Sequence, residues 1–394
     1  MRIAHVTDCY LPRMGGIERQ VEGLARTQLA HGHQVEIITS VPPGAGDCPV
    51  PVIGPARAGS RPGSIRYLAT LTGRQAVVAG DYDLVHVHAS TFSPLAYLAA
   101  GAATRAGVPT VVTLHSLWSW ATPIFRGFDL ALDWRRWPLT WTAVSEVAAG
   151  SLTGVLRART PISVLPNGVS AELWRGHRQP RDPGRVVIVS VMRLAGRKRP
   201  MQLLAMLRAA RAQVPAELRM EVKIIGDGPK REAMLAYLRR HSMTGWVQLT
   251  GQLDQPTIRQ IYDDADLYVS PATLESFGIA ALEARCSGLP VIAFAATGVA
   301  DFISHRRNGL LVGDDGEMAG AIAELVRSAA DRAALTEHNL ATESGYSWAS
   351  VLEVCQAVYA DAFEQAGRPR AGARLLAPDR QPASHEPLAG IAAG

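Results

Sequence analysis

Short β-branched runs alternate with helix-periodic segments along nearly the whole chain, and that alternation leaves few folds open. Strands separated by helical crossovers close as parallel sheets covered on both faces. The expected strands of a first series are Arg2–Thr7, Gln34–Thr39, Leu84–His88, Thr110–Leu114, Thr142–Val144 and Ile162–Leu165. Helical spacing lies between them at Gly16–His31, Pro94–Ala106 and Glu146–Leu156. The polar stretch His177–Gly184 (HRQPRDPG) breaks the pattern, because proline and glycine there oppose both helix and strand. A second series then runs through Val186–Val191, Met220–Ile225, Val247–Leu249, Leu267–Val269 and Val291–Phe294, and ends in an amphipathic helix at Trp348–Phe363. The fold class is therefore α/β, with two Rossmann-like domains and a cleft between the carboxyl ends of their sheets, where open α/β sheets bind ligands. The expected boundaries are residues 1–176 for the first domain, 177–184 for a linker, 185–346 for the second domain and 347–366 for the last helix. Residues 367–394 are Pro-, Ala-, Gly- and Arg-rich without periodicity, and are expected to be a disordered tail.

Composition excludes several function classes. With 394 residues, 47% of them apolar, the chain can fill two full-sized cores. Its longest apolar stretches, such as Pro94–Ala103, fall well short of the ~20 residues that a spanning helix needs. Arg2, His5 and Asp8 interrupt the only N-terminal apolar run, so no secretory signal is read. Four cysteines (Cys9, Cys48, Cys286, Cys355) lie far apart without metal-ligand spacing, and a reduced, cytoplasmic compartment is expected. All of the +5 net charge falls within residues 1–182, partly in Arg57, Arg61, Arg66 and Arg74 and partly in Arg126, Arg135 and Arg136. That asymmetry suits an anionic partner, although a few solvated arginines produce the same sum. Only Lys198, Lys223 and Lys230 are lysines, against 37 arginines. A lysine inside a motif is therefore conspicuous.

The segment with most chemistry is Ser270-Pro-Ala-Thr-Leu-Glu275-Ser276-Phe277-Gly278-Ile279-Ala-Ala-Leu-Glu283. A strand ends near Val269 and a helix starts near Gly278, so the unsatisfied amides of Phe277 to Ile279 suit a phosphate. Glu275 stands just before that helix and Glu283 is eight residues on, a little over two turns. Carboxylates there suit sugar hydroxyls better than phosphate. A lone helical glutamate is usually solvated, but the pair in the form E-S-F-G-x-x-x-x-E resembles the signature of the retaining GT-B glycosyltransferases of family 4.

Other segments resemble that family as well. Pro12-Arg-Met-Gly15-Gly16-Ile-Glu18 is similar to its first βα loop, where Gly15 and Gly16 would let the backbone approach the donor phosphates. Val111–Ser116 resembles its strand ending in a cleft histidine, here His115. Val189–Pro200 carries Arg193 and Lys198 five residues apart, although Met192 stands where the family usually has glycine. Ile225-Gly-Asp-Gly-Pro229, Leu249–Gly251, Asn308–Val312 and Pro166–Val169 resemble further segments, and Thr297–Asp301 does so with three changes. The likeness extends over about residues 1–365.

The resemblance implies a two-domain GT-B enzyme that moves a hexose from a nucleotide sugar (GDP-mannose, UDP-glucose or UDP-N-acetylglucosamine) to a hydroxyl acceptor, with retention. It implies that Arg193 and Lys198 clamp the diphosphate, where fixed cations stabilise the charge that develops on the leaving group. Glu275 goes to the sugar hydroxyls, Glu283 to the ribose, the amides of Phe277, Gly278 and Ile279 to the diphosphate, and Ser276 to donor binding. His115 orients the sugar, and the final helix crosses back to the first domain. No cofactor and no metal is implied; the D-x-D strings at Asp81–Asp83 and Asp264–Asp266 are read as polar loop or helix residues. On the acceptor side, Leu117-Trp-Ser-Trp120 and Trp134-Arg-Arg-Trp137 suit a sugar-stacking pocket or an anionic membrane surface at the inner face, or else pack as a lid. A nucleic-acid partner is not expected, since no RNA-binding motif accompanies the basic residues. A nucleotide-sugar epimerase, a phosphorylase and a non-catalytic nucleotide-sugar sensor remain open as alternatives.

Overall fold

The computed structural model describes residues 1–11, 15–42, 49–55, 73–118, 122–132, 134–156, 162–176, 182 and 184–367. Pro12–Met14, Cys48, Arg57, Arg61, Arg66, Trp120, most of the 177–184 segment and the tail beyond Gly367 lie outside the described residues. The strands are β1 (Arg2–Thr7), β2 (Gln34–Thr39), β3 (Val52–Ile53), β4 (Leu84–Ala89), β5 (Thr110–Leu114), β6 (Thr140–Ala143) and β7 (Ser163–Val164). They continue with β8 (Arg185–Val191), β9 (Arg219–Ile225), β10 (Val247–Gly251), β11 (Leu267–Ser270), β12 (Val291–Phe294) and β13 (Gly309–Val312). Two sheets result, ordered β3-β2-β1-β4-β5-β6-β7 and β10-β9-β8-β11-β12-β13. Every pairing within them is parallel. In each, the strand order reverses beside the first strand of the series, the switch point where a crevice opens.

The strands are buried on both faces, and their Val/Ile-rich runs fill the core between sheet and helices. Several element ends differ from the sequence reading by one or two residues, and one strand, β3, is absent from it. Strand β6 starts at Thr140 because Thr140 and Trp141 continue the register with Val111 and Val112. Strand β3 is a two-residue edge pair against Ile37 and Ile38, too short to leave a period in the sequence.

Helix Trp348–Gln365 packs on the first sheet. Val351, Cys355, Val358, Tyr359 and Phe363 join Ile3, Leu24, Leu84, Val111 and Leu165 in one cluster. Trp348 lies against Gly23 and Gly168, neither of which has room for a Cβ beside the indole. The Gln20 amide accepts from Gly168 N at 2.8 Å and donates to Gly168 O at 2.9 Å, which fixes the turn on which that indole rests. Among the described residues, no helix is long and apolar enough to cross a membrane.

The two D-x-D strings do related work at the opposite ends of the sheets from the cleft. Asp83 accepts from Arg2 N at 2.7 Å and Asp266 from Val187 N at 2.7 Å, each holding the start of a strand in the middle of its sheet. Asp264 takes Arg185 at 3.0 Å and Lys223 at 3.2 Å. The tryptophans need a correction. Trp118 is 0% and Trp134 3% exposed. They sit in an aromatic cluster with Tyr97, Phe125 and Trp141, with Trp118 stacked on Phe125 at 3.8 Å between centroids. These two indoles are core and offer no face to a sugar or a membrane.

Candidate active site

The carboxyl ends of the two sheets meet each other directly. Ser276 Oγ, on the loop after β11, donates to His115 O at 2.7 Å, and Ser145 Oγ donates back to Ser276 O. Asp301 accepts from Glu146 N at 2.9 Å in the same seam. A Cβ on Gly16 would lie 3.1 Å from Ile279 Cδ1, so the starts of helices Gly16–Ala30 and Ile279–Cys286 come together from opposite halves. Two helix N-termini thus lie side by side, an arrangement that suits a diphosphate. At Gly15, the Glu18 carboxylate folds back and leaves no room for a Cβ.

Gly278 precedes the second helix with φ of +91°, a left-handed conformation that side chains rarely adopt. A Cβ there would also meet Val299 Cγ2 at 2.6 Å. Glycine therefore lets the loop turn sharply enough to aim Phe277 inward, where it is 2% exposed, and to leave Glu275 at the cleft. Glu275 is ion-paired with Lys198, whose side chain is 33% exposed against 16% for the glutamate. The ammonium is thus held at the cleft while still open to solvent. Arg193 is exposed, and among the described residues its guanidinium has no hydrogen-bond or ion-pair partner.

The loop bearing these cations is braced from behind. Met192 N donates to Ile225 O at 3.0 Å, Leu194 N to Asp227 O at 2.9 Å, and Lys230 N to Leu194 O at 2.8 Å. The Gly226–Pro229 turn is thereby locked against residues 192–194, with Met192 accommodated through its backbone. Arg199, next in the basic run, is committed elsewhere. It forks onto Asp315 at 2.7 and 2.8 Å, donates to Pro271 O at 3.2 Å, and carries a left-handed φ of 57°. The sequence offered no sign that this arginine is an anchor and its neighbours are not.

Glu283 is only 7% exposed, and burial pushes its carboxyl up to about 7 against the opposing effects of Arg19 and Gln255. Arg19 comes from the first half, so the two halves approach each other here as well. His115 lies at the end of β5, 9% exposed, with its ring pushed down to about 4 by burial. Its Nε2 is 3.0 Å from His88 Nδ1, and His88 Nε2 is 2.9 Å from His5 Nδ1. His5 and His86 are register partners on β1 and β4, and His86 and His88 share one face of β4. Thr113 and Thr142 continue the same polar row across β5 and β6. Of these histidines only His115 follows from the sequence resemblance; the H-x-H spacing at 86 and 88 is the signal for the others. Beside His115 is a cavity of about 20 Å³, lined in part by Gln20, His86, Thr113, Asn167 and Trp348 and roomy enough for one water.

The buried imidazoles have a consequence for acid stability. Burial holds His5 and His115 down to about 4, and His86 and His88 well below the usual 6.5. The unfolded chain takes up protons below about 6.5 that the folded chain refuses until about 4, so stability falls as pH falls through that window. At pH 5 the loss is about 2 kcal/mol for each of His5 and His115. Glu283 acts in the opposite sense, gaining about 2 kcal/mol at pH 5 because its folded form holds its proton up to about 7. A net loss of about 2 kcal/mol or more is expected between pH 7 and pH 5, read as a lower urea midpoint. A flat or rising midpoint would show that the histidines are not buried neutral.

Similarity to known proteins agrees with this geometry. The family described as Glycosyl transferases group 1 matches residues 185–328, and Glycosyltransferase Family 4 matches residues 14–173. The phosphatidylinositol N-acetylglucosaminyltransferase gpi3 subunit of Schizosaccharomyces pombe is 25% identical over 90% of this chain and 79% of its own. The D-inositol 3-phosphate glycosyltransferase 1 of Catenulispora acidiphila is 28% identical over 90% of this chain and 93% of its own. Among solved structures, Anabaena HepE in complex with UDP superposes with a TM-score of 0.71 at 19% identity, covering 91% of this chain and all of that one. The last shows the fold: two facing Rossmann-like halves of the GT-B kind.

Proposed function

Because the chain belongs to the family 4 glycosyltransferases, we propose that it moves a hexose, with retention, from a nucleotide diphosphate sugar to a hydroxyl on a phosphorylated cyclitol such as an inositol phosphate, free or lipid-linked. The observation that carries the donor side is the Lys198–Glu275 pair at the seam where two helix N-termini converge. Arg193 and Lys198 hold the diphosphate and stabilise the negative charge that grows as the glycosyl bond breaks. The unsatisfied amides at Phe277 to Ile279 add donors that need no reorganisation, with Gly15 and Gly16 allowing close approach from the other half. Glu275 accepts from the sugar hydroxyls once Lys198 turns to the phosphate, and Glu283 reads the ribose. His115, neutral at pH 7, orients the sugar by hydrogen bonding.

Support for the acceptor comes from the names of the two relatives, both of which carry inositol, and from the positive balance of residues 1–182. The same balance suits an anionic lipid surface at the first half if the cyclitol is lipid-linked. The residue boundaries 1–176, 177–184, 185–346 and 347–366 are part of this reading, with donor chemistry in the second domain and acceptor chemistry in the first.

Thermal unfolding with millimolar UDP, GDP or ADP tests the donor side. A nucleotide at ~100 times its Kd stabilises by about 2.7 kcal/mol. A rise in Tm with one nucleotide is expected, followed by hexose transfer from the matching sugar to inositol 3-phosphate or to phosphatidylinositol in vesicles. No rise with any of the three would sink the donor site. Transfer to simple alcohols but to neither inositol acceptor would sink the acceptor assignment alone.

A further inference from the structure

The buried histidine row reaches beyond His115 to a glutamine that no site motif contains. His5 Nε2 is 2.7 Å from Gln28 Oε1, and the Gln28 amide nitrogen donates to Tyr359 OH at 2.8 Å and approaches Cys355 Sγ at 3.7 Å. All of these groups are buried. His5, His86 and His88 each bring a nitrogen within 4.8 Å of the others, yet they do not form a metal site. Both nitrogens of all three rings already have partners inside the protein: Gln28 and His88 for His5, Tyr359 and Thr113 for His86, His5 and His115 for His88.

Donor counting gives the row a direction. An amide nitrogen carries two protons and its oxygen carries none. Two acceptors, Tyr359 OH and Cys355 Sγ, stand on one side of Gln28, and a single partner, His5, stands on the other. Only with the nitrogen toward Tyr359 and Cys355 do both amide protons find partners, and that orientation leaves the oxygen for His5. His5 must then donate from Nε2, which makes its Nδ1 an acceptor. A neutral imidazole has one N–H, so His88 donates from Nε2 and accepts at Nδ1, and His115 in turn donates from Nε2. The other branch is consistent: Tyr359 donates to His86 Nδ1 at 2.9 Å, His86 Nε2 donates to Thr113 at 2.7 Å, and Thr113 donates to Thr142 at 2.7 Å, which ends on Val112 O at 3.3 Å.

We propose that Gln28 sets the tautomer of His115 through His5 and His88, keeping the proton on Nε2 and leaving Nδ1 as a lone pair for a donor hydroxyl. Among the described residues, no protein group takes His115 Nδ1. Gln28, His5 and His88 are positioning residues. They make His115 an acceptor at the cleft and prevent it from acting as an acid there. The tautomer itself follows from the hydrogen bonds alone; its use in orienting a sugar rests on the glycosyl-transfer reading above.

Ring-nitrogen NMR on the full chain labelled with ¹⁵N-histidine tests the assignment, with the His115 signals identified by their loss in His115→Ala. His115 is expected as the Nε2–H form with an unprotonated Nδ1, and a protonated Nδ1 would overturn the proposal with no variant needed. Gln28→Met removes the acceptor that gives the row its direction, so both His115 tautomers are expected, with transfer slowed about tenfold and the nucleotide-induced rise in Tm unchanged. Gln28→Glu keeps an acceptor for His5 and is expected to restore the single tautomer. A His115 spectrum indifferent to Gln28→Met overturns the coupling. The predicted tautomer together with no nucleotide response would instead remove the glycosyl-transfer reading and leave the relay standing.

Discussion

Lys198→Ala is expected to lower the turnover of hexose transfer by about 10²–10³-fold, the usual cost of removing one fixed donor from a developing negative charge. The argument is geometric. Lys198 is ion-paired with Glu275 at the cleft, so its ammonium is held beside the donor site before any ligand arrives and has only to turn to the phosphate. The fold should survive, because the Lys198 side chain is one-third exposed and the pair is open to solvent. Kinetics under saturating donor, beside a melting curve, separate the two effects. Arg197→Ala, one position away and exposed, is the control and should retain activity. Equal turnover in Lys198→Ala and wild type would remove the clamp from the mechanism.

The second large effect is expected at Gly298, which lies outside the signature. A Cβ there would collide with the carbonyl of Ser276, lie 2.6 Å from its carbonyl carbon and sit 2.8 Å from Phe277 Cα. These are backbone atoms, and they cannot swing aside as a side chain would. Gly298 N also donates to Glu275 O at 2.9 Å, so the segment that presents Glu275 rests directly on Gly298. Gly298→Ala must therefore push the 275–278 loop away from the cleft or strain residues 297–301. A loss of about 3 kcal/mol is expected, at the upper end for overpacking, with Tm lower by about 4 °C for a chain of this length. Activity should fall further than stability alone explains, even at temperatures where the variant is fully folded. A variant with unchanged Tm and turnover would mean that the loop is far more compliant than its contacts indicate.

These two residues illustrate what a sequence of this type reveals and what it hides. Glu275 is legible as a carboxylate just before a helix start and Lys198 as one of three lysines in an arginine-rich chain, whereas the pairing of Arg193 with Lys198 follows from the family resemblance. The alternation of strand and helix likewise dictates parallel sheets with their carboxyl ends at a cleft. Gly298 looked like part of an altered motif, and nothing local said that another loop's backbone would lie against it. His5, His86 and His88 were passed over for the same reason. His5 is 81 residues from His86, and only the order β1-β4-β5 makes them neighbours. Composition left burial undecided: tryptophans beside arginines suit an interface or a packed lid, and Trp118 and Trp134 fill the space between helices and β6. Contacts between distant segments decide such cases, and periodicity does not record them.

Helix Trp348–Gln365 has a further consequence for how the protein comes into being. It covers a face of the first sheet with Val351, Val358, Tyr359 and Phe363, and it supplies the phenol that closes the polar row. About 180 residues separate the end of that sheet at Leu165 from Trp348. At ribosomal speeds of roughly 5–20 residues per second, the first half waits about 10–40 s with Leu24, Leu84 and Val111 uncovered and His86 lacking its Tyr359 partner. During translation the nascent first half is thus a sticky, incompletely satisfied platform, and the histidine of the active site acquires its final hydrogen-bonded state among the last events of synthesis.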